Sequence, residues 1–384
     1  MTDALERGLA LSERYEREVA ELLPPGADIF DAHLHLGLDI DGMVGDYDEL
    51  EAIMAAHGIS RAFMFCLDEP DRHPAFSAAN DRTLAFAERS NGRLIPFLRL
   101  DLNESPLDEA RRCLDLGARG IKLHPRAQRF DATDARLGPV FELSADRRVP
   151  ILIHGGRGLP PIADGLANLM DRFPEASLII AHAGIADLAA LTSAMAGRRG
   201  VFFDTSTWSA VDLFDLYRRV SPEQVVYASD YPYGQQPSSL FIALRSALSA
   251  GYAESDLRNL LGGNASRLAD GAELLEPTRP KGATTFERPM QLARIHQYLS
   301  MALPMLWLRQ PDTFGVLGLV INACAERDGH VESVARIEEL VRAARDLWTG
   351  TAEGGDGVDT VAMMRLTFRL LHMADVEALT AQPA

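Results

Sequence analysis

Residues 29–35 read Ile-Phe-Asp-Ala-His-Leu-His, a short apolar run that ends in two histidines separated by one residue. Because side chains alternate between the two faces of a strand, Asp31, His33 and His35 are expected to share one face. Two imidazoles on one face can hold a single metal ion, but a pair of structural histidines gives the same pattern. The choice between these interpretations depends on the residues that end the other strands.

Seven further apolar runs follow the first, and longer stretches with helical periodicity separate them. The eight runs are residues 28–33, 61–67, 93–99, 119–124, 149–154, 177–182, 201–205 and 224–230. Residues 47–57, 106–116 and 137–147 are predicted helices between them. Eight strand-helix units in roughly 240 residues predict an α/β fold, namely a (β/α)8 TIM barrel, although an open doubly wound sheet alternates in the same way.

The positions of the polar residues favour the barrel. His154 and His182 each end an apolar run, and Asp230 ends the last one. In a barrel the C-terminal ends of all strands converge on one mouth, whereas distant strands of an open sheet lie apart. Imidazoles with one carboxylate and an open position are typical of a catalytic metal site. The sequence therefore predicts one such site at the mouth of a barrel.

Composition excludes several classes of protein. The chain has 384 residues, a formal net charge of −17 and a pI near 5.0. Broad binding to nucleic acid or to an anionic membrane needs a positive field, so neither is expected. No secretory signal pattern is visible, and the apolar stretches are shorter than the roughly 20 residues that a bilayer requires, which predicts a cytoplasmic location. The three cysteines lack paired spacing and are predicted to be free thiols.

Helices are predicted outside the barrel. The expected organisation is an N-terminal helix at residues 1–26, the barrel at 27–275, a linker at 276–288 and an all-helical extension at 289–384. The helices of the extension are predicted at 289–310, 315–327, 331–347 and 358–379, with a loop rich in Gly and Asp at 350–357. Their apolar faces need a partner, so the extension is predicted to be a lid or the contact surface of a homo-oligomer.

Taken together, the motifs resemble the amidohydrolase superfamily, in particular the amidohydrolase-related branch. That branch includes aminocarboxymuconate-semialdehyde decarboxylase and several lactone and amide hydrolases. The signals that carry the resemblance are Asp31-x-His33-x-His35, His154, His182, Ser229-Asp230-Tyr-Pro and Gly263-Asn264-Ala265. The resemblance covers about residues 27–270 and does not reach the C-terminal helices.

The resemblance implies roles for the strand-end residues. His33, His35, His154 and Asp230 would be metal ligands. His182 would bind a second metal or act as an acid that orients the attacking water. The expected metal is zinc, with manganese or iron as alternatives. Such a site implies a metal-dependent hydrolase whose metal-activated water attacks a small amide, lactone or ester, with Asp230 taking the proton of that water.

Residues 120–125, Gly-Ile-Lys-Leu-His-Pro, leave an alternative open. In binuclear relatives similar to dihydroorotase, a lysine on this strand is carboxylated and bridges two metals, so the resemblance implies one or two ions. Lys122 could instead pair with Asp31 or another inward carboxylate. The chain has two lysines, Lys122 and Lys281, and arginine fills the other basic positions.

A substrate carboxylate is expected because arginines lie near the predicted mouth. The candidate substrate-binding residues are Arg99, His124, Arg157 and Tyr231. Further candidates for lining the mouth are Asp68, Asp204, Trp208 and Tyr233.

Two other functions fit the same residues. One is a non-oxidative decarboxylase that uses the same metal site. The decarboxylase pattern has His-Pro-Trp at the fifth strand, whereas here His154 is followed by Gly155 and Gly156, which favours hydrolysis. The other is a degenerate barrel that acts as a binding module. Loss of a ligand-type residue would indicate it, and all five positions are intact.

Overall fold

The computed structural model describes residues 2–234, 236–283, 287–310, 312–326, 331–352 and 360–381. Within these residues, nine strands form one sheet in the order β2-β1-β3-β4-β5-β6-β7-β8-β9. The strands are β1 (Ile29–Leu38), β2 (Val44–Gly45), β3 (Ile59–Cys66), β4 (Leu94–Arg99), β5 (Gly120–Leu123), β6 (Ile151–Ile153), β7 (Leu178–Ile180), β8 (Val201–Asp204) and β9 (Val225–Val226). Each of the eight predicted runs contains or overlaps one of these strands.

The sheet closes on itself. All neighbouring strands pair in parallel except the short β2, which is antiparallel to β1. The chain that follows β9 returns to β1, where the backbone N–H of Ala32 donates to the carbonyl of Tyr227 at 2.9 Å. The N–H of His35 donates to the carbonyl of Tyr231 at 2.7 Å. The predicted eight-stranded barrel is therefore confirmed.

Helices follow the barrel strands and also form the two ends of the chain. They are α1 (Thr2–Leu22), α2 (Tyr47–Ala56), α3 (Ser77–Arg89), α4 (Pro106–Asp115), α5 (Pro125–Gln128), α6 (Leu137–Arg147), α7 (Ala163–Arg172), α8 (Leu188–Met195), α9 (Ala210–Tyr217), α10 (Gln236–Ser249), α11 (Glu254–Arg258), α12 (Asn264–Asp270), α13 (Met290–Trp307), α14 (Thr313–Cys324), α15 (Val331–Ala352) and α16 (Thr360–Thr380). The last four lie in the predicted helical extension. Of the predicted loop at 350–357, residues 350–352 are helical and the rest lies outside the described residues.

Aromatic side chains fill the interior of the barrel. The rings of Phe30 and Phe63 lie 4.7 Å apart, and those of Phe63 and Phe97 lie 4.5 Å apart. These residues are fully buried and belong to one apolar cluster with Ala32 and Leu152. Burial of such rings supplies much of the apolar stabilisation of a core. The polar site therefore rests on a packed apolar floor.

Strand β1 departs from strict alternation. Its pairing with β3 shifts register between Ile29 and Phe30 and again between Asp31 and Leu34. Such a bulge re-aims the side chains on either side of it. Ala32 joins the interior cluster, while the Asp31 carboxylate accepts hydrogen bonds from the backbone N–H of Ser229 at 2.9 Å and from Gln236 at 2.8 Å. The expectation that Asp31 shares one face with both histidines is therefore wrong.

The chain divides into two compact units. The barrel unit comprises residues 24–240 and 250–282, and the helical unit comprises the described parts of residues 1–23, 241–249 and 283–384. In the helical unit, the ring of Tyr15 contacts that of Phe241 edge-on at 5.2 Å. All three cysteines are buried and free. No helix among the described residues is long and apolar enough to cross a membrane.

A partly buried ionisable pair lies inside the helical unit, between α13 and α16. His296 Nδ1 and Asp375 Oδ1 are 2.6 Å apart. Burial acts to lower the pKa of His296, but the hydrogen bond and charge of Asp375 outweigh it, so the pKa is raised above 6.5. Burial raises the pKa of Asp375 above 3.8. Both folded groups therefore hold their protons more tightly than the unfolded chain does.

The contribution of the His296–Asp375 pair to the free energy of unfolding is expected to fall as pH rises. The contribution of His296 is fully present below its unfolded pKa of about 6.5 and is lost as pH rises through the higher folded pKa. The raised pKa of Asp375 acts in the same direction, because ionising the buried carboxyl becomes costly above its unfolded pKa. We expect His296→Gln to lower Tm more at about pH 6 than at about pH 8.5, around the ordinary histidine pKa. Thermal unfolding followed by circular dichroism measures this, and a larger loss at the higher pH would contradict it.

Candidate metal centre and active site

Six strands deliver ligand-type side chains to the C-terminal mouth of the barrel. They are His33 and His35 on β1, Lys122 on β5, His154 after β6, His182 after β7, Asp204 at the end of β8 and Asp230 after β9. Each strand runs in the same direction around the closed sheet, so its last residues meet those of its neighbours. The mouth therefore gathers residues that are up to 197 positions apart in the sequence, from His33 to Asp230.

Three of these side chains form a tight, buried group. The Nε2 atoms of His33 and His35 are 3.3 Å apart. Asp230 Oδ1 lies 3.2 Å from Nε2 of His33 and 3.4 Å from Nε2 of His35. Their three ligand atoms satisfy the spacing of a metal site, all lying within 4.8 Å of one another. Two imidazoles and one carboxylate are a donor set suited to a divalent transition metal.

The other nitrogens of the two imidazoles are committed to acceptors. His33 Nδ1 lies 2.8 Å from Asp204 Oδ2, and His35 Nδ1 lies 3.3 Å from the carbonyl of Cys66. Burial lowers the pKa of both histidines, so each is neutral and carries a single N–H. That N–H must be on Nδ1, because a carbonyl and a carboxylate can only accept.

With the N–H of both imidazoles on Nδ1, their Nε2 atoms are free to bind a metal. The lone pairs of both Nε2 atoms and an oxygen of Asp230 converge on one another at 3.2 to 3.4 Å. Three electron-pair donors repel each other at such distances unless a cation lies among them. The arrangement of these three residues therefore fits a divalent metal.

His154 lies outside this group, although the resemblance implied that it is the third ligand. Its Nδ1 atom is 3.0 Å from Nε2 of His182, and its ring stacks on that of His124 with centroids 3.9 Å apart. His182 in turn places Nδ1 2.9 Å from the carbonyl of Ser206. The ring centroids of His33 and His182 are 5.1 Å apart. The structure thus contains two neighbouring groups. His33 and His35 form a triad with Asp230, and His182, His154 and His124 form a row beside it.

Lys122 lies against the triad. It is 1% exposed, its Nζ atom is 3.3 Å from Nε2 of His33, and it lies over the ring of Phe65 at 4.5 Å. Among the described residues Lys122 has no carboxylate within 4.0 Å, and the carboxylate of Asp31 is bonded elsewhere. Burial lowers the pKa of Lys122 to about 7. A substantial fraction of this amine is therefore neutral near neutral pH.

The four candidate substrate-binding residues occupy different environments. Arg99 is buried at the end of β4, with Nη1 3.4 Å from the carbonyl of Cys66 and Nη2 3.7 Å from Asp68. His124 stacks on His154, as described above. The side chain of Arg157 is 80% exposed and its Nη2 lies 3.8 Å from Asp212. The hydroxyl of Tyr231 lies 3.2 Å from Glu49, beside α2.

Asp204 has a more direct role in the structure of the site than the sequence predicted. It was a candidate for lining the mouth, yet it is fully buried and contacts His33 directly. The available signal was that it ends an apolar run, as Asp230 does. Two residues of the site also have left-handed backbones, His182 with φ of 57° and Asp230 with φ of 61°. Such conformations are uncommon outside glycine and concentrate at functional sites.

The chain matches a known protein family and is similar to solved structures. Residues 30–269 match the family model described as Amidohydrolase. The 5-carboxyvanillate decarboxylase of Sphingomonas paucimobilis is similar in structure, with a TM-score of 0.51 and 15% identity over 64% of this chain and 99% of that one. An uncharacterized TIM-barrel protein of Bordetella bronchiseptica has a TM-score of 0.51 and 16% identity over 63% and 98%. These two likenesses show the fold alone, and no curated protein matches the chain.

Proposed function

Because the chain belongs to the amidohydrolase family, we propose that it is a metal-dependent hydrolase of a small amide, lactone or ester. The observation that carries this proposal is the convergence of His33 Nε2, His35 Nε2 and Asp230 Oδ1 at 3.2 to 3.4 Å. These three residues would hold the metal. When bound, a divalent metal supplies a Lewis acid that polarises a carbonyl and lowers the pKa of water to about 7.

Asp230 is the group that we assign to proton transfer. Burial acts to raise its pKa, but the imidazoles of His33, His182 and His35 outweigh it, and the pKa is lowered to about 2. The carboxylate is therefore ionised at neutral pH and can accept a proton from the attacking water. It can then return that proton to the leaving group, as a general base and acid. His182 lies next to this site, with its Nε2 atom 3.0 Å from Nδ1 of His154 and its ring centroid 5.1 Å from that of His33.

Arg99 supports a substrate that carries a carboxylate. Its side chain is buried, and Nε has no hydrogen-bond partner among the described residues. Its contact with Asp68 is long, at 3.7 Å. A buried guanidinium with an unused donor can bind a carboxylate through charge-assisted hydrogen bonds. We therefore propose Arg99 as the residue that recognises the acid group of the substrate.

Hydrolysis is proposed over decarboxylation because of the two glycines after His154. A Cβ atom at Gly156 would lie 2.8 Å from Cε1 and Nε2 of His154 and 3.0 Å from Cδ2 of His182. The rings of both histidines thus pack directly on the backbone at this position. The His-Pro-Trp of the decarboxylase pattern is absent here. A similar fold in a decarboxylase at 15% identity does not bear on this choice.

The same contact predicts the effect of Gly156→Ala. The added methyl group forces the imidazole of His154 to move, and a displacement of about 1 Å in an active site can cost about 10²-fold in rate. We expect kcat/KM to fall by about 10- to 100-fold with little change in Tm. Gly315→Ala is a matched control, since its Cβ would meet no atom of the described residues within 4 Å. A Gly156→Ala rate within twofold of wild type would contradict the assigned packing.

Metal analysis tests the proposed function. Protein expressed with added zinc, manganese or iron is expected to hold about one or two ions. Removing these ions with a chelator should abolish hydrolysis, and adding the metal again should restore it. The substrate panel contains lactones, amides and esters with a carboxylate, together with aromatic acids whose release of CO2 is measured. His35→Gln should lose metal, whereas His57→Gln, at the end of α2, should not. Less than about 0.3 equivalents of metal in the wild type would overturn the proposal, and CO2 release without hydrolysis would replace hydrolase by decarboxylase.

A further inference from the structure

We propose that Asp204 is a positioning residue that sets the tautomer of His33 and the backbone of His182 at the same time. The proposal rests on the metal site of the proposed function, because the lone pair of His33 is offered to that metal. It concerns how this chain prepares the site before any ligand is present.

Four hydrogen bonds surround the Asp204 carboxylate, and they divide unequally between its oxygens. Oδ2 faces His33 Nδ1 at 2.8 Å. Oδ1 accepts from the backbone N–H of His182 at 2.7 Å, from the N–H of Ser206 at 3.0 Å and from the Ser206 hydroxyl at 2.6 Å. Asp204 is fully buried, so the protein alone satisfies it. Donors left unpaired in such a place would destabilise the fold.

The unequal division determines which group donates. Two backbone N–H groups can only donate, so Oδ1 has to remain an acceptor. Because a carboxylate carries no proton, Oδ2 likewise presents a lone pair to His33, and the neutral imidazole must place its single N–H on Nδ1. The Nε2 lone pair of His33 is consequently directed to His35 and Asp230. The other polar atom near His33 Nδ1, the Ser206 hydroxyl oxygen, is farther away, at 3.5 Å, so the carboxylate of Asp204 is the stronger acceptor for that N–H.

The same carboxylate orders His182. The backbone of His182 has φ of 57°, a left-handed conformation that a hydrogen bond from its N–H helps to hold. Ser206, fixed by two bonds to Asp204, offers its carbonyl to Nδ1 of His182 at 2.9 Å. Nε2 of His182 is thereby left as an acceptor toward His154. One buried carboxylate thus prepares both the proposed metal ligand and the neighbouring imidazole row.

Asp204→Asn separates this role from simple packing. The amide has nearly the shape of the carboxylate, but one end accepts and the other donates. The donors of His182 and Ser206 retain the amide oxygen, so the NH2 group faces His33. His33 must then accept on Nδ1 and carry its proton on Nε2, which removes the lone pair from the metal site. A mere loss of packing would not invert the tautomer.

The test measures the tautomer and the metal affinity separately. Histidine tautomers are read by 15N NMR on metal-free protein at about pH 8, above the ordinary histidine pKa. We expect the Nδ1–H form of His33 in the wild type and the Nε2–H form in Asp204→Asn. The affinity for Zn²⁺, measured by competition with a chromophoric chelator, should fall about 10- to 100-fold in the variant.

Asp375→Asn is the matched control. It alters another buried carboxylate that contacts an imidazole, His296, at 2.6 Å in the helical unit. Its affinity for Zn²⁺ should stay within about threefold of wild type, since it does not touch the metal ligands. A folded Asp204→Asn that keeps the Nδ1–H form, or Zn²⁺ affinity within that range, would overturn the proposal. If the variant does not fold, an Nε2–H form of His33 in the wild type overturns it. Absence of Zn²⁺ affinity in the wild type would instead contradict the proposed function, and the tautomer would still be measurable.

Discussion

Asp230→Asn is expected to lower kcat/KM for hydrolysis by about 10²- to 10⁴-fold, the range that loss of a general base produces. The amide cannot accept the proton of water, and it places no negative charge beside the Nε2 lone pairs of His33 and His35. Steady-state kinetics on the best substrate of the panel measures the rate, and metal analysis of the same sample measures the bound ion. We expect the metal affinity to fall as well, because Asp230 Oδ1 lies 3.2 Å from Nε2 of His33, another atom proposed to bind the metal.

Asparagine is the suitable replacement because of the backbone at this position. Asp230 has φ of 61°, and asparagine tolerates the left-handed region better than most residues. A loss of activity can therefore be assigned to charge and proton transfer, provided that Tm is unchanged. Asp270→Asn, on α12 with an exposed ion pair to Arg61 at 2.9 Å, should remain within about twofold of wild type. If Asp230→Asn keeps more than a tenth of the activity, Asp230 is not the proton acceptor.

Lys122→Arg is expected to abolish hydrolysis. The buried amine is close enough to His33 Nε2, at 3.3 Å, to affect the metal site directly. Burial lowers its pKa to about 7, so part of it is a neutral amine that can react with CO2. A guanidinium stays charged and cannot form that carbamate. We expect kcat to fall by at least about 10²-fold through loss of the positioned group.

Metal content distinguishes the two accounts of Lys122. If a carboxylated lysine bridges two ions, the metal content falls from about two to about one, and labelling with 13C-bicarbonate yields a carbamate signal that the variant lacks. If Lys122 acts only through its charge beside the metal ligands, the wild type has about one ion and no such signal. The only other lysine, Lys281, lies 3.4 Å from Asp256 at a half-exposed position, so Lys281→Arg is the matched control. An active Lys122→Arg would contradict both accounts.

The barrel could be predicted because its strands are continuous apolar runs. Parallel strands buried on both faces carry Val, Ile, Leu and Phe almost without interruption, as in residues 151–153 and 178–180. The residue that follows such a run stands at the mouth, whatever the rest of the chain does. His154, His182 and Asp230 were therefore recognisable as mouth residues from their places at strand ends.

The face of a residue inside β1 was less predictable. Strict alternation put Asp31 beside His33 and His35, but the bulge between Asp31 and Leu34 turned its carboxylate to Ser229 and Gln236. A bulge depends on how one strand pairs with its neighbours, and a single sequence contains no signal of that pairing. The same limit applies to the separation of His154 from the triad of His33, His35 and Asp230.

The residue types of the site and their arrival at one mouth are thus local properties. They depend on the alternation of apolar runs with polar ends, and the eight runs start 23 to 33 residues apart along the chain. Which atoms meet is a property of the closed barrel. The contact of Asp204 Oδ2 with His33 Nδ1 at 2.8 Å joins residues 171 positions apart, and it exists only because β8 and β1 are held within one ring of strands. Strand register and side-chain rotamers decide such contacts, and both are determined by packing against the whole fold.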